Sequence, residues 1–219
     1  MAEVNLLDKY PQTRRPIEER ANLISDDHRR IAKQFGRSYF DGERLYGYGG
    51  YHYHPRFWQD TVKRFRDHYR LSETAKILDV GCAKGYMLYD FKNLMPELSI
   101  TGIDISSYAI EHAKEEVKPF LKVANAKELP FADSAFDLVI SINTIHNLER
   151  ADCFTAVQEI QRVSKGNSFL TVDAWRDDTE KERLLKWNLT AQTYMHVDAW
   201  KTFFQQAGYT GDFYWFIAA

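Results

Sequence analysis

The sequence predicts an α/β fold with a mostly parallel central sheet and helices on both of its faces. Two features carry this prediction. From about Ala75 onward, short apolar runs alternate with segments of helical spacing, and the run 76–80 ends directly in a glycine turn. Short apolar runs are typical of strands buried on both faces, and strand–helix alternation favours parallel pairing through right-handed crossovers. The 219 residues, of which 44% are hydrophobic, suffice for one domain with an elaboration.

Six apolar runs are predicted to be strands, and four segments between them to be helices. The strands are 76–80, 98–103, 120–124, 136–142, 168–174 and 212–217; the helices are 86–94, 107–117, 152–164 and 197–207. Pro96 stops the first helix, and Ser106 can cap the second. Gly166 and Gly208 follow the last two helices, as glycine commonly does at a helix C-terminus.

The first seventy residues do not share this alternation. Residues 17–35 have the pattern of a helix or a helix pair, and residues 57–69 that of another helix. Between them, the sequence YGYGGY places three glycines among tyrosines. We expect residues 1–70 to form a helical and aromatic lid that packs on a main domain of residues 71–219 and does not fold independently.

Composition limits the class of partner. The formal net charge of −2 argues against binding dominated by nucleic-acid phosphates. No apolar stretch approaches the roughly 18–20 residues that cross a bilayer, and the N-terminus lacks the apolar core of a signal peptide. Cys82 and Cys153 form neither a disulfide framework nor a zinc pattern. These observations predict a cytoplasmic protein that binds no membrane, no nucleic acid and no metal.

The sequence ILDVGCAKGY, residues 77–86, is a strand that runs into a glycine turn and then a helix. Glycines at 81 and 85 allow the backbone to approach a ligand closely. Ala83 departs from the dinucleotide pattern G-x-G-x-x-G, and the lysine–hydroxyl pair of a phosphate-binding loop is absent. The alternative is a tight turn without a ligand.

Asp104 ends the second predicted strand, about twenty residues after the glycine turn. An acidic residue at this place can accept hydrogen bonds from the two hydroxyl groups of a ribose. On its own, Asp104 could equally cap the following helix. Together with the glycine turn, it favours a nucleoside-containing ligand.

These motifs resemble those of the class I S-adenosylmethionine (SAM)-dependent methyltransferases, specifically the large group that acts on small molecules. The resemblance runs from about Ala75 to Gly208 and includes GIDIS, VANAKELPF, FDLVISINTIHNL and EIQRVSKGN in the family's order. It implies a Rossmann-like fold and SAM as cofactor, with S-adenosylhomocysteine as product. It also implies methyl transfer to an oxygen or nitrogen of a small-molecule acceptor.

The resemblance also implies which residues bind the cofactor. Residues of the glycine turn would line the methionine part of SAM, Asp104 would hold its ribose, and residues after the second, third and fourth strands would contact the remainder. The cofactor-binding residues implied in this way are Asp79, Gly81, Cys82, Gly85, Asp104, Ile105, Asn125, Ala126 and Asn143.

The chain departs from the family pattern at several positions. Ala83 replaces a glycine, and Asn125 replaces an aspartate that accepts a hydrogen bond from the adenine; asparagine can still accept through its oxygen. The family's sheet usually finishes with an antiparallel pair. Here one strand follows the last predicted helix, so we expect the seventh strand to be short or absent.

His146 follows the fourth strand and would face the site of methyl transfer. It could act as a general base or serve only in positioning and packing. Other candidates for the acceptor site and its lid lie before the glycine turn and after the fifth predicted strand: Tyr46, Tyr48, Tyr51, His54, Trp175 and His196. The histidines at 52 and 54 have spacing that could bind a metal, but no carboxylate or cysteine partner is near them in sequence.

Two alternatives stay open at this stage. The first is methylation of a macromolecule such as a tRNA or a protein; the sequence after the fourth strand, Asn143-Thr-Ile-His146, lacks an Asn-Pro-Pro-Tyr-like motif. The second is a non-catalytic subunit of the same fold that binds SAM or a partner protein. The oligomeric state, monomer or homodimer, does not follow from the sequence.

Overall fold

The computed structural model describes residues 1–11 and 15–218. Within these ranges, seven strands form one sheet: β1 (Lys76–Val80), β2 (Ser99–Asp104), β3 (Leu121–Val123), β4 (Leu138–Ile142), β5 (Ser168–Trp175), β6 (Met195–His196) and β7 (Asp212–Phe216). The helices described are α1 (Ile17–Ala21), α2 (Asp26–Ala32), α3 (Arg37–Asp41), α4 (Gln59–Tyr69), α5 (Tyr86–Leu94), α6 (Ser107–Glu111), α7 (Arg150–Val163), α8 (Asp178–Trp187) and α9 (Val197–Gln206). None of them has the length and apolar composition needed to cross a bilayer.

The strand order is β3-β2-β1-β4-β5, and both β6 and β7 pair with β5. Every pairing between these strands is parallel, which confirms the predicted fold class. The order of the strands reverses between β1 and β4, so the carboxyl ends of these two strands flank the crevice in which such sheets bind ligands.

The C-terminal end of the sheet differs from the antiparallel pair that the resemblance implied. The strand β7 runs parallel to residues 169–173 of β5, and β6 is only two residues long. The reason is the connection: α9 lies between β6 and β7, and a helical crossover returns the chain to the same end of the sheet. The additional strand, which was expected to be short or absent, is β6.

The N-terminal residues take part in the main core. Leu6 and the α4 residues Val62 and Phe65 are buried in the same cluster as Ile77 and Phe91. The first residues also extend the sheet, because the amide of Val4 donates to the carbonyl of Phe213 at 2.9 Å. Of the predicted lid of residues 1–70, the segment 17–53 (the lid) covers the carboxyl edge of the sheet.

Two helices differ from the sequence prediction. The helix α6 ends at Glu111 and not near Val117, because the amide of Lys114 donates to the carbonyl of Lys84 (3.1 Å) instead of continuing the helix. The helix α8 was not predicted, although Asp177 accepts a hydrogen bond from the amide of Glu180 at 2.8 Å, as an N-cap residue does.

Candidate functional site

Three carboxylates lie on one face of the sheet at its carboxyl edge. Asp79 pairs with Gly102 on β2, two residues before Asp104. Through Ile140 of β4 it aligns with Phe169 of β5, four residues before Asp173. Because alternate residues of a strand point to opposite faces, these even separations place all three carboxylates on the same side. Each of the three residues is less than one-tenth exposed to solvent.

Asp79 is the most isolated of the three. Within the described residues, no hydrogen bond or ion pair reaches its carboxylate. Burial raises its pKa to about 8, and the nearby charge of Asp104 adds to the increase. Asp104 differs because it accepts hydrogen bonds from the amides of Ala83 (2.8 Å) and Ser106 (2.9 Å). A carboxylate has about four acceptor positions, so Asp104 retains capacity for two further donors.

The raised pKa of Asp79 makes stability depend on pH. Between the ordinary value of 3.8 and about 8, the folded protein holds a proton that the unfolded chain has released. The free energy of unfolding attributable to Asp79 therefore falls as pH rises through this window. We expect the wild type to lose stability relative to Asp79→Asn between pH 5 and 8, measured by urea unfolding. Parallel pH profiles of the two proteins would contradict the assignment.

The glycines of the turn are required by the protein's own packing. Gly81 has φ of +86°, and a Cβ atom there would lie 2.1 Å from the hydroxyl oxygen of Thr144. Gly85 has φ of +76°, and a Cβ atom there would meet side chains of Val117 and Leu121 at 2.9 Å. Both glycines were predicted to allow close approach of a ligand. In the structure, neighbouring side chains occupy that space.

The remaining residues of the turn and of β2 take different positions. Cys82 turns its thiol into the core beside Gly102, where a Cβ atom would lie 2.8 Å from the sulfur. Only the backbone of Cys82 is thus available to a ligand. Ala83 adopts a left-handed conformation with φ of +49°. This conformation is more favourable for glycine, the residue of the family pattern at this position, than for alanine. Ile105, by contrast, is 55% exposed.

The loops after β3 and β4 are held by local hydrogen bonds. The side-chain oxygen of Asn125 accepts from the amide of Lys127 at 3.1 Å, and the neighbouring Ala126 packs against the core. Asn143 adopts φ of +53°, and its side-chain oxygen accepts from the hydroxyl of Thr171 at 2.9 Å. Both asparagines are only partly buried, so their amide groups border the same edge as the carboxylates.

His146 is buried beside Asp173. Its Nδ1 atom accepts a hydrogen bond from the backbone amide of Asp173 at 2.9 Å. Because an amide can only donate, Nδ1 carries no proton, and the neutral ring carries its proton on Nε2. Burial lowers the pKa of the ring below its usual range, against the opposing charge of Asp173. His146 therefore presents a hydrogen-bond donor and is poorly suited to remove a proton.

This tautomer can be tested directly. We expect ¹⁵N NMR of the histidine rings to show one ring, absent from His146→Asn, that is protonated on Nε2 alone between pH 6 and 8. The reason is that the Asp173 amide occupies Nδ1 and burial opposes the charged form. The asparagine oxygen can replace Nδ1 as acceptor, so the variant should fold. A ring that titrates near its ordinary pKa would restore His146 as a candidate base.

The lid is attached to the glycine turn through Lys84. The Nζ atom of Lys84 forms an ion pair with Asp41 of α3 and donates to the carbonyl of Tyr51 at 3.1 Å. Asp41 also accepts from the hydroxyl of Tyr108 (2.9 Å), and the hydroxyl of Tyr86 donates to the carbonyl of Tyr51 (3.0 Å). Only the backbone carbonyl of Tyr51 takes part in these contacts. The side chain of Tyr51, a predicted lid residue, does not connect the lid to the glycine turn.

The other end of the lid docks beyond β5. The phenol oxygen of Tyr48 accepts from the amide of Leu189 at 2.7 Å, and its ring lies 5.8 Å from that of Trp187. Burial raises the pKa of Tyr48 to about 12, so it stays neutral. Tyr39 lies between the two attachments. The charges of Asp104 and Asp173 both act on its phenol and, together with burial, raise its pKa.

Tyr39, Asp41, Lys84 and Thr144 were not predicted as site residues. The sequence shows a tyrosine in an aromatic-rich lid and a lysine inside the glycine turn. It does not show that the lid contacts the turn. The predicted residue Tyr46 stacks near His28, with ring centres 4.9 Å apart.

The three remaining predicted residues make contacts of their own. His54 is exposed and accepts from the amide of Arg56. Trp175 packs 6.2 Å from Tyr194, and His196 accepts from the amide of Asp198 at the start of α9. Among the described residues, none of these side chains bonds to the three carboxylates. No group of three or more His, Cys, Asp or Glu side chains in those residues is arranged to hold a metal.

Comparison with known proteins adds a family. Residues 77–167 match the model of a methyltransferase domain. A methyltransferase-named protein of Encephalitozoon cuniculi is 30% identical over 158 residues, which are 65% of this chain and 71% of that protein. Malonyl-[acyl-carrier protein] O-methyltransferase of Legionella pneumophila is 32% identical over 56% of this chain and 44% of its own length.

A tRNA (carboxymethyluridine(34)-5-O)-methyltransferase of Arabidopsis thaliana is 32% identical over 57% of this chain and 30% of its own length. The chain thus spans less than half of two of these three relatives. Among solved structures, the YcgJ protein of Bacillus subtilis superimposes with a TM-score of 0.55 at 19% identity, covering 67% of this chain and 66% of that one. This likeness concerns the fold.

Proposed function

The chain belongs to the class I SAM-dependent methyltransferases, and from this premise we propose that it methylates an oxygen or nitrogen atom of a small molecule. SAM is the cofactor of this family. One observation supports its placement at the carboxyl edge: Asp79 is buried without a donor, close enough to the buried Asp104 for the two charges to interact. SAM carries an ammonium group, a sulfonium and a ribose diol, and thus supplies the cations and donors that buried carboxylates require.

The residues present fit this cofactor. We propose that Asp104 holds the ribose through its two free acceptor positions and that Asp79 faces the cationic methionine part. Asn125 and Ala126 would border the adenine, with Ile105 covering its face. The backbone of Gly81, Cys82 and Gly85 would form the wall next to Asn143. When bound, SAM supplies a methyl group that is activated by the sulfonium.

What the protein adds is mainly alignment. Holding an acceptor and a methyl group in reactive geometry supplies much of the acceleration in such a displacement. Because the Asp173 amide occupies Nδ1 of His146, we propose that this ring would orient an acceptor through its Nε2 proton and not deprotonate it. An acceptor atom that needs no strong base, such as an amine that is already neutral at working pH, suits this arrangement.

The lid supports a small acceptor. Tyr39 and Tyr48 lie between the solvent and the edge of β5, and the lid is attached at both ends. The relative named as a tRNA methyltransferase supports the second candidate, a macromolecular acceptor. A polynucleotide would require the lid to move away from both attachments.

The experiment that separates these candidates uses SAM with a radiolabelled methyl group. Purified protein is incubated with a deproteinised metabolite extract, with total RNA and with a protein extract. We expect label in the metabolite fraction alone. Label in RNA or protein would favour the macromolecular acceptor. SAM binding without label in any fraction would favour the non-catalytic subunit.

A further inference from the structure

Asp173 is fixed by its backbone, while its side chain lacks a hydrogen-bond donor. Its amide donates to Nδ1 of His146 at 2.9 Å, and its carbonyl accepts from the indole of Trp200 at 2.9 Å. Within the described residues, no hydrogen bond reaches its carboxylate, and its ion-pair contact is with Nδ1 of His146 at 3.6 Å, an atom without a proton. The side chain is only 8% exposed. The fold thus holds a buried carboxylate to which no described group donates a hydrogen bond.

The cationic side chain whose charge acts on Asp173 is engaged elsewhere. The guanidinium of Arg15 lies over the ring of Phe216 at 4.7 Å, and its charge reaches Asp173 only at longer range than an ion pair. A buried charge without a close partner is destabilising, and a ligand of opposite charge can relieve that cost.

The position of Asp173 assigns it to the acceptor and not to the cofactor. Most residues proposed for SAM lie at β1, at β2 and in the loop after β3, on one side of β4, and Asn143 follows β4 itself. Asp173 belongs to β5, on the other side of β4. Tyr39, Tyr48 and the buried Thr190 border it from the lid and from the segment after α8. Aromatic rings beside a carboxylate form an environment that favours a cation.

We propose that Asp173 binds an ammonium group of the methyl acceptor as a recognition contact, separate from the oxygen or neutral nitrogen that is methylated, so that this enzyme selects small molecules that carry an amine. The inference rests on the proposed function and specifies its acceptor class. An alcohol could donate a hydrogen bond to Asp173 but would leave its charge uncompensated. A carboxylate or phosphate at the same place would be repelled by Asp173 and by the neighbouring Asp104.

The test measures binding and requires no knowledge of the natural acceptor. The probes are primary amines from ethylamine to tyramine, each with its matched alcohol and carboxylate, added to protein saturated with S-adenosylhomocysteine. We expect amines to bind at least tenfold more tightly than their alcohols, measured by calorimetry. Asp173→Asn should abolish this preference. Asp90→Asn is the matched control, because Asp90 is equally buried but lies on α5 and accepts from the hydroxyl of Tyr53.

A second measurement covers the stability of the variant. We expect Asp173→Asn without ligand to unfold at a higher temperature than the wild type, because the amide removes an unpaired buried charge. A lower unfolding temperature would show that the carboxylate has a structural partner and would overturn the proposal.

The outcomes separate this inference from the function on which it rests. Equal binding of amines and alcohols, or an amine preference that persists in Asp173→Asn, would overturn it. If S-adenosylhomocysteine still binds in those cases, the methyltransferase assignment stands. Failure of the wild type to bind S-adenosylhomocysteine would defeat both.

Discussion

Asp104→Ala should weaken the binding of SAM and of S-adenosylhomocysteine by about 100-fold. The carboxylate offers two acceptor positions beyond those used by the amides of Ala83 and Ser106. Each hydrogen bond between a charged group and a ribose hydroxyl contributes about 1.5 kcal/mol or more, and 1.4 kcal/mol corresponds to a factor of ten in affinity. Isothermal titration calorimetry with both ligands measures the effect.

The control must allow for the structural part played by Asp104. Asp137 likewise accepts a hydrogen bond from a backbone amide, that of Lys76 at 2.8 Å, but it lies at the opposite edge of the sheet. Asp137→Ala should therefore lower stability without changing the affinity for SAM. If the two variants lose affinity equally, the effect of Asp104 is one of stability and its proposed contact with the ribose is wrong.

Gly81→Ala should lower the free energy of unfolding by about 3 kcal/mol. A left-handed backbone costs an alanine about 1 kcal/mol or more, and overpacking against a fixed neighbour adds about 1 to 3 kcal/mol. The neighbour here is Thr144, whose hydroxyl oxygen would lie 2.1 Å from the new Cβ atom. The expected shift in unfolding temperature is roughly 6 to 12 °C for a chain of this size.

Gly208 supplies the matched control. Its φ of +73° is similar to that of Gly81, but no atom lies within 4 Å of a Cβ placed there. Gly208→Ala should show the cost of the backbone alone, and Thr144→Gly should restore part of the stability lost by Gly81→Ala. Equal losses in Gly81→Ala and Gly208→Ala would mean that Thr144 moves aside, and the glycine would then be available for contact with the ligand.

The sequence was informative where local signals coincide with burial. The strand β1 and the helix α5 have the predicted bounds. The apolar run of β1 ends at the glycine turn, the helix begins after that turn, and a proline follows the helix. The parallel direction of β1 to β5 follows from the alternation of strands and helices. The direction of β7 did not follow, since it depends on α9 returning the chain across the sheet.

The sequence predicted which backbone segments meet at the site, but not the side-chain contacts between them. Motif spacing brought Asp79, Asp104, Asn125 and Asn143 to one edge, because the carboxyl ends of parallel strands meet there. The tautomer of His146 depends on an amide of another strand, and the charge of Asp104 acts on the phenol of Tyr39 across 65 residues of chain. Such contacts leave no periodic signal in a single sequence.

Asp79, at the carboxyl edge of the sheet, is proposed to face the cationic methionine part of SAM. Calorimetry of SAM with the wild type at pH 7, repeated in two buffers of different ionisation enthalpy, tests this placement most directly. In the protein without ligand, the pKa of Asp79 is raised to about 8. A cation bound beside Asp79 must lower this pKa. We therefore expect micromolar binding with release of protons, and no such release from Asp79→Asn. Absence of binding, or binding that releases no protons, would contradict the account.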